Sequence, residues 1–136
     1  VSLKQIQEQN TANEAEIYSQ FETKKSETLS WLKDELTSGD TAYGKLSEEQ
    51  KLYIWYIYDL LRSENIFSLA NVDTSDSVYY DWIYGDSTSL SQLLTYGISK
   101  NWINMSSLTS EKYTSLQESY DALVDYVISA LDSEDV

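Results

Sequence analysis

Leu52–Leu61 reads LYIWYIYDLL: four of its ten residues are Tyr or Trp, and Asp59 is its one charged residue. A strand, a membrane segment, a stacking surface and a core helix would all accept such a run. The residues before it settle the question. In KLSEEQ, Ser47 stands three residues ahead of Gln50, the spacing of a capping box, and Glu48 and Glu49 fall where a helix dipole favours negative charge. Lys51, Asp59, Arg62 and Glu64 continue a polar thread, and no hairpin turn flanks the run. The strand case rests on aromatic and β-branched propensity alone. The reading is a helix over 47–64, apolar around most of its circumference, hence the buried centre of a bundle. Its tyrosines are expected at the edges of that core, rings inside and hydroxyls reaching water or a partner.

Outward from this centre, the neighbouring segments also read as helices. Leu3, Ile6, Ile17, Phe21, Thr28, Trp31, Leu32 and Leu36 recur near helical spacing, so residues 3 to about 37 are expected to form one long helix ending at Gly39. Such a helix would be roughly 50 Å long against a domain width of about 30 Å. It either bends or projects; residues 1–16 are then either a frayed, solvated end or an arm that docks on a neighbouring subunit, with Leu3 and Ile6 as its apolar pair. The stretch 65–77 reads as a turn and loop. SVYYDWIYG predicts two helical turns started by Asp76 or Ser77 and stopped at Gly85. A further helix is expected from about Ser87, with Leu90, Leu93, Leu94 and Ile98 as its stripe and Gly97 as a weak point or an end. The last helix is expected to be capped at Thr109 or Ser110, with Tyr113, Leu116, Tyr120, Leu123, Val127 and Leu131 stepping by three or four. KLSEEQK and SLTSEKY resemble one another only as helix starts, and no internal repeat is evident. The fold class is an all-α bundle of four to five helices, one domain over 1–136.

The totals restrict the chemistry. The 136 residues include no Cys and no His. Disulfides, thiolate metal sites, Ser-His-Asp catalysis and the commonest zinc ligand are thereby excluded. There is no Pro, which suits helices joined by short polar turns. The net charge of −14 disfavours nucleic acid or an anionic membrane as a direct partner. Most of it lies late: residues 63–136 carry 12 acids against Lys100 and Lys112. No apolar run approaches the ~20 residues that span a bilayer. The start at Val1 lacks a basic segment followed by an apolar one, so no signal peptide is expected. The compartment stays open.

NVDTSDSVYYDW, Asn71–Trp82, places oxygen at four alternate loop positions but has Asp76 where a calcium loop needs Gly and Trp82 where it needs a bidentate Glu. Neither a phosphate loop nor an activated serine is present, and no metal or cofactor is expected. Asp59 is the carboxylate placed for partial burial; pairing with Arg62 or a lysine accounts for it, and a role as a catalytic carboxylate is the competing reading. Base stacking by the aromatics would need a cationic groove. The most suggestive feature is acidic. Glu118, Asp121, Asp125 and Asp132 fall opposite the apolar stripe of the last helix, and Asp132, Glu134 and Asp135 crowd the end where cations are preferred. Such a row is a solvated face or a surface matched to a basic partner. The expectation is therefore a non-enzymatic structural or interaction protein, an oligomer or a subunit of a larger assembly such as a virus particle, with protein partners. The alternative is an acidic inhibitor that imitates nucleic acid and blocks a basic site on another protein.

Overall fold

The computed structural model describes residues 24–108 and 113–133. These form an all-α bundle of five helices: α1 Lys25–Ser38, α2 Glu48–Ser63, α3 Ser77–Tyr84, α4 Leu90–Ser99 and α5 Leu116–Ser133. Residues 1–16, with Leu3 and Ile6, lie outside the described residues, as does the part of the expected 3–37 helix that precedes Lys24.

The aromatic run is α2. Ser47 Oγ accepts the Gln50 amide at 3.1 Å and the Gln50 side chain accepts the Ser47 amide at 3.0 Å, so the capping box is closed. Leu52, Tyr53, Ile54 and Trp55 are all buried. At about 100° per residue, four consecutive positions point in every direction, so at this level the helix is enclosed. Ile54 and Ile57 are 0% exposed. The extended backbone contacts in the bundle run among α1, α4 and α5 and between α3 and α4, and α2 shares in few of them. The rings of α2 hold its neighbours farther off and fill the gap: Trp55 lies 5.2 Å from Tyr58, and Tyr58 lies 5.0 Å from Phe67, centroid to centroid. Tyr53 and Tyr58 are equally buried and differ in what their hydroxyls meet: that of Tyr53 donates to Glu49 Oε1 at 2.8 Å, while the pKa of Tyr58 is raised, first by loss of solvent and then by Tyr79.

α3 is capped by Asp76, whose Oδ1 accepts the Val78 amide at 2.9 Å, and it stops at Gly85. α4 starts later than Ser87. Ser89 is its cap and closes a second capping box with Gln92, because Thr88 and Ser89 are held extended and buried by an antiparallel bridge from Ala42 to Ser89. Gly97 does not end α4. It is buried in the last turn, and a Cβ there would stand 3.4 Å from the Ile103 side chain, so its smallness admits the returning chain.

α2 and α4 end in the same way. Asn65 and Asn101 have φ of 60° and 63°, the left-handed conformation. Behind Asn65, the Ile66 amide reaches Leu61 O at 2.8 Å and the Asn65 amide reaches Arg62 O at 3.1 Å. Behind Asn101, the Trp102 amide reaches Gly97 O at 2.8 Å and the Asn101 amide reaches Ile98 O at 3.2 Å. Each is a Schellman motif. The two extended segments that follow cross in an antiparallel bridge, Phe67 to Ile103, with Ser68 N on Trp102 O at 2.7 Å and Asn104 N on Ile66 O at 2.6 Å. Two helices that share a start device and a stop device are thus latched at their C-terminal ends.

The last helix departs from expectation. Tyr113, Thr114 and Ser115 are not helical, and Thr109 and Ser110 lie outside the described residues. The working cap is Ser115: its Oγ accepts the Glu118 amide at 3.1 Å. Leu116, expected in the apolar stripe, is 44% exposed, while Tyr120, Leu123, Val127 and Leu131 face the core. The Tyr120 hydroxyl donates to Leu36 O at 2.6 Å and ties α5 to the end of α1.

Candidate functional site

The acidic face of α5 is exposed at Glu118, Asp121, Asp125 and Asp132, but the four are not equivalent. The Glu118 carboxylate accepts Thr114 Oγ1 at 2.6 Å and the Thr114 amide at 3.2 Å, and these bonds hold its pKa below the usual range. It thereby serves the start of its own helix. Asp121 Oδ1 accepts the Gln117 side-chain amide at 2.9 Å. Asp125 lies one turn on, on the same exposed side. At the C-terminal end, where the sequence of α5 offers no cation, α1 supplies one: Lys25 Nζ donates to the carbonyl of Asp132 at 2.6 Å. Leu3 and Ile6 cannot be placed beside this face, because they lie outside the described residues.

Asp59 is half-buried beside Arg62, with Oδ1 3.2 Å from Nη2. Loss of solvent raises its pKa and the guanidinium opposes the rise. The pair forms part of one helix surface.

The aromatics are overwhelmingly core. Trp55, Trp82 and Trp102 are 5% exposed or less, and Trp31 packs against the core cluster. Tyr43 places its ring 4.3 Å from that of Trp82 and its hydroxyl accepts Trp55 Nε1 at 2.6 Å. Among the described residues the exposed rings are Tyr80 and Tyr84, at 58% and 49%. They stand one turn apart on α3 with centroids 4.8 Å apart. Two carboxylates near them in sequence, Asp81 and Asp76, are fixed by local bonds. Asp81 accepts from Ser87 and Thr88 and is held below its usual pKa, Thr88 being the larger cause. Asp76 accepts the Tyr96 hydroxyl at 2.7 Å, which raises the Tyr96 pKa.

A second feature had no counterpart in the sequence reading. The crossing of the two Schellman ends leaves a groove of about 710 Å³. Its walls come from 62–71 and 98–105, with Ser119 of α5 at one side. All four asparagines among the described residues, Asn65, Asn71, Asn101 and Asn104, line it. Asn71 Nδ2 donates to Asn101 O at 3.0 Å, and Asn104 bonds both Ser106 and Ser107. The signal available in the sequence was the echo ENIFS and KNWIN at 64–68 and 100–104, each placing Asn before a large apolar pair. What brings the two together is the long-range bridge from Phe67 to Ile103.

Among the described residues, no group of three or more carboxylates is arranged to hold a metal, and no helix is long and apolar enough to cross a membrane. Comparison of the chain with protein-family models, curated proteins and solved structures finds no match.

Proposed function

We propose that this chain is a non-enzymatic helical protein that acts by contact with other proteins, as a subunit of a larger assembly. The observation that carries the reading is the pair Tyr80–Tyr84. Every other described ring is at least partly covered by the domain itself, and these two stand 58% and 49% exposed, side by side on one helix face. Tyrosine combines large apolar area with a polar tip and few rotatable bonds, and it is enriched among the residues that dominate contact energies. An exposed pair of this kind is worth most when a partner covers it.

The other reading, an acidic inhibitor that imitates nucleic acid, draws on Glu118, Asp121, Asp125 and Asp132. It is the less favoured of the two. The carboxylates of Asp121, Asp125 and Asp132 remain exposed, but Glu118 is tied to Thr114 and a cation, Lys25, stands at the Asp132 end of the row.

The test is mass in solution and partner retention, with the chain and its Tyr80→Ser/Tyr84→Ser variant side by side. The expected result is a mass above the 15.6 kDa of one chain, alone or with a captured protein, lost in the variant while its circular dichroism is unchanged. A strict monomer that retains nothing the variant fails to retain would refute the proposal. Binding that depends instead on Asp121 and Asp125, and fades steeply with salt in competition with DNA or RNA, would favour the inhibitor.

A further inference from the structure

The groove at the helix ends contains more chemistry than its backbone requires. A residue in the left-handed conformation at a helix C-terminus is most cheaply Gly, with Asn the usual second choice. This chain uses Asn at both such positions, and both residues line the same groove with Asn71 and Asn104, whose own carboxamides bond within the chain. The lining contains no carboxylate although the chain carries −14. Its one charged residue, Arg62, is matched by Asp59 at 3.2 Å. The groove is therefore a neutral, carboxamide-rich strip on an anionic molecule. Its apolar contribution is aliphatic: Leu69 is 47% exposed, and Ile98 and Met105 are half-buried beside it. Phe67, the one ring in the wall, is 2% exposed, so it offers no platform for a sugar.

These features select a ligand. A carboxamide presents an N–H donor and a C=O acceptor side by side, the same pair that a peptide main chain presents, so the two bond reciprocally. The two carboxamides of Asn65 and Asn101 beside an aliphatic wall match an extended chain whose backbone is gripped and whose side chain enters the wall. We propose that this groove binds an extended, uncharged polypeptide segment, with Asn65 and Asn101 bonding its main chain and Leu69 taking an aliphatic side chain. The inference rests on the reading of the protein as one that acts by protein contact, through a surface separate from Tyr80 and Tyr84.

The backbone role of the two asparagines supplies the test, because Asn65→Gly/Asn101→Gly keeps the left-handed turns and deletes only the carboxamides. The probe is a displayed library of random linear peptides selected on the full chain, with the most enriched peptide then synthesised and titrated. Expected is enrichment of uncharged peptides bearing Leu, Ile or Val, with amide resonances of 65–71 and 98–105 shifting on titration. The glycine double variant should bind about tenfold more weakly at an unchanged or higher Tm, since each lost carboxamide removes a hydrogen-bonding pair. Leu69→Ser, an exposed substitution, should weaken binding as well. Tyr80→Ser/Tyr84→Ser should leave it unaltered, so failure of this inference and failure of the assembly reading are separable. The inference is overturned by no enrichment above a blank surface, by equal affinity for the glycine double variant, or by enrichment of basic peptides whose binding fades with salt.

Discussion

Tyr43→Phe removes one oxygen from the centre of the molecule and should cost far more than an average surface change. The hydroxyl accepts Trp55 Nε1 at 2.6 Å between rings that are 8% and 5% exposed. The phenyl ring keeps its place against Trp82, so the substitution isolates the hydrogen bond. What remains is an indole N–H with no acceptor and no water, a penalty of about 1–3 kcal/mol. At about 2.1 cal/mol/K per residue, 136 residues give an unfolding entropy of roughly 0.29 kcal/mol/K. A loss of about 2 kcal/mol then lowers Tm by about 7 °C. Urea unfolding followed by tryptophan fluorescence measures the loss, and Trp55→Phe supplies the control. In that background the donor is gone and the Tyr43 hydroxyl is itself unpaired, so Tyr43→Phe should be close to neutral or stabilising. The difference between the two backgrounds is the coupling energy. Equal effects in both, or a loss below about 0.5 kcal/mol in the parent protein, a value at the floor of ordinary hydrogen-bond contributions, would refute the reasoning.

Further outcomes follow from other contacts. Asn65→Ala and Asn101→Ala should each destabilise by about 1 kcal/mol, because Ala resists the left-handed conformation, whereas the glycine variants should be neutral or better; chemical denaturation separates the two. The protein should unfold in alkali. Burial raises Tyr43 and Tyr120 to about 12 from an ordinary value near 10, so the folded chain keeps protons that the unfolded chain releases. Their contribution is complete below about pH 10 and is lost as pH rises through about 12, which tyrosinate absorbance and circular dichroism recorded together will follow. Glu118→Gln should lower Tm, because it weakens the acceptor at the start of α5, while Asp125→Asn should leave Tm unchanged or slightly raised by relieving repulsion with Asp121. A thermal melt of the two variants in low salt distinguishes them.

The legible part of this fold was local. Ser47 with Gln50, Asp76 before SVYY, and Gly85 after it each announced a helix boundary with groups only a few residues apart, and each boundary stands where that chemistry placed it. Enclosure of α2 was legible from four successive large side chains at 52–55. The start of α5 was misplaced because Thr109 and Ser110 also resemble caps; the S-x-x-E spacing of Ser115 and Glu118 was the stronger signal, and it matches the observed bond. The start of α4 shifted to Ser89 through a bridge to Ala42, a partner 47 positions away that no local pattern reveals. The asparagine groove was hidden for the same reason. Asn is a weaker mark of a helix end than Gly, and the two ends meet only through the pairing of Phe67 with Ile103. Asp121 and Asp125 were visible as a charged row, but the engagement of Glu118 depends on where α5 begins.

Through its buried positions, the helix of rings at 52–61 forms the core of this molecule. Native-state hydrogen exchange tests this most directly. The amides of Ile54 to Tyr58 should exchange only through global unfolding, with a free energy equal to that from denaturant and the same dependence on urea. Exchange of these amides by a urea-independent local opening, as fast as at Ser63 to Asn65 where α2 ends, would contradict it.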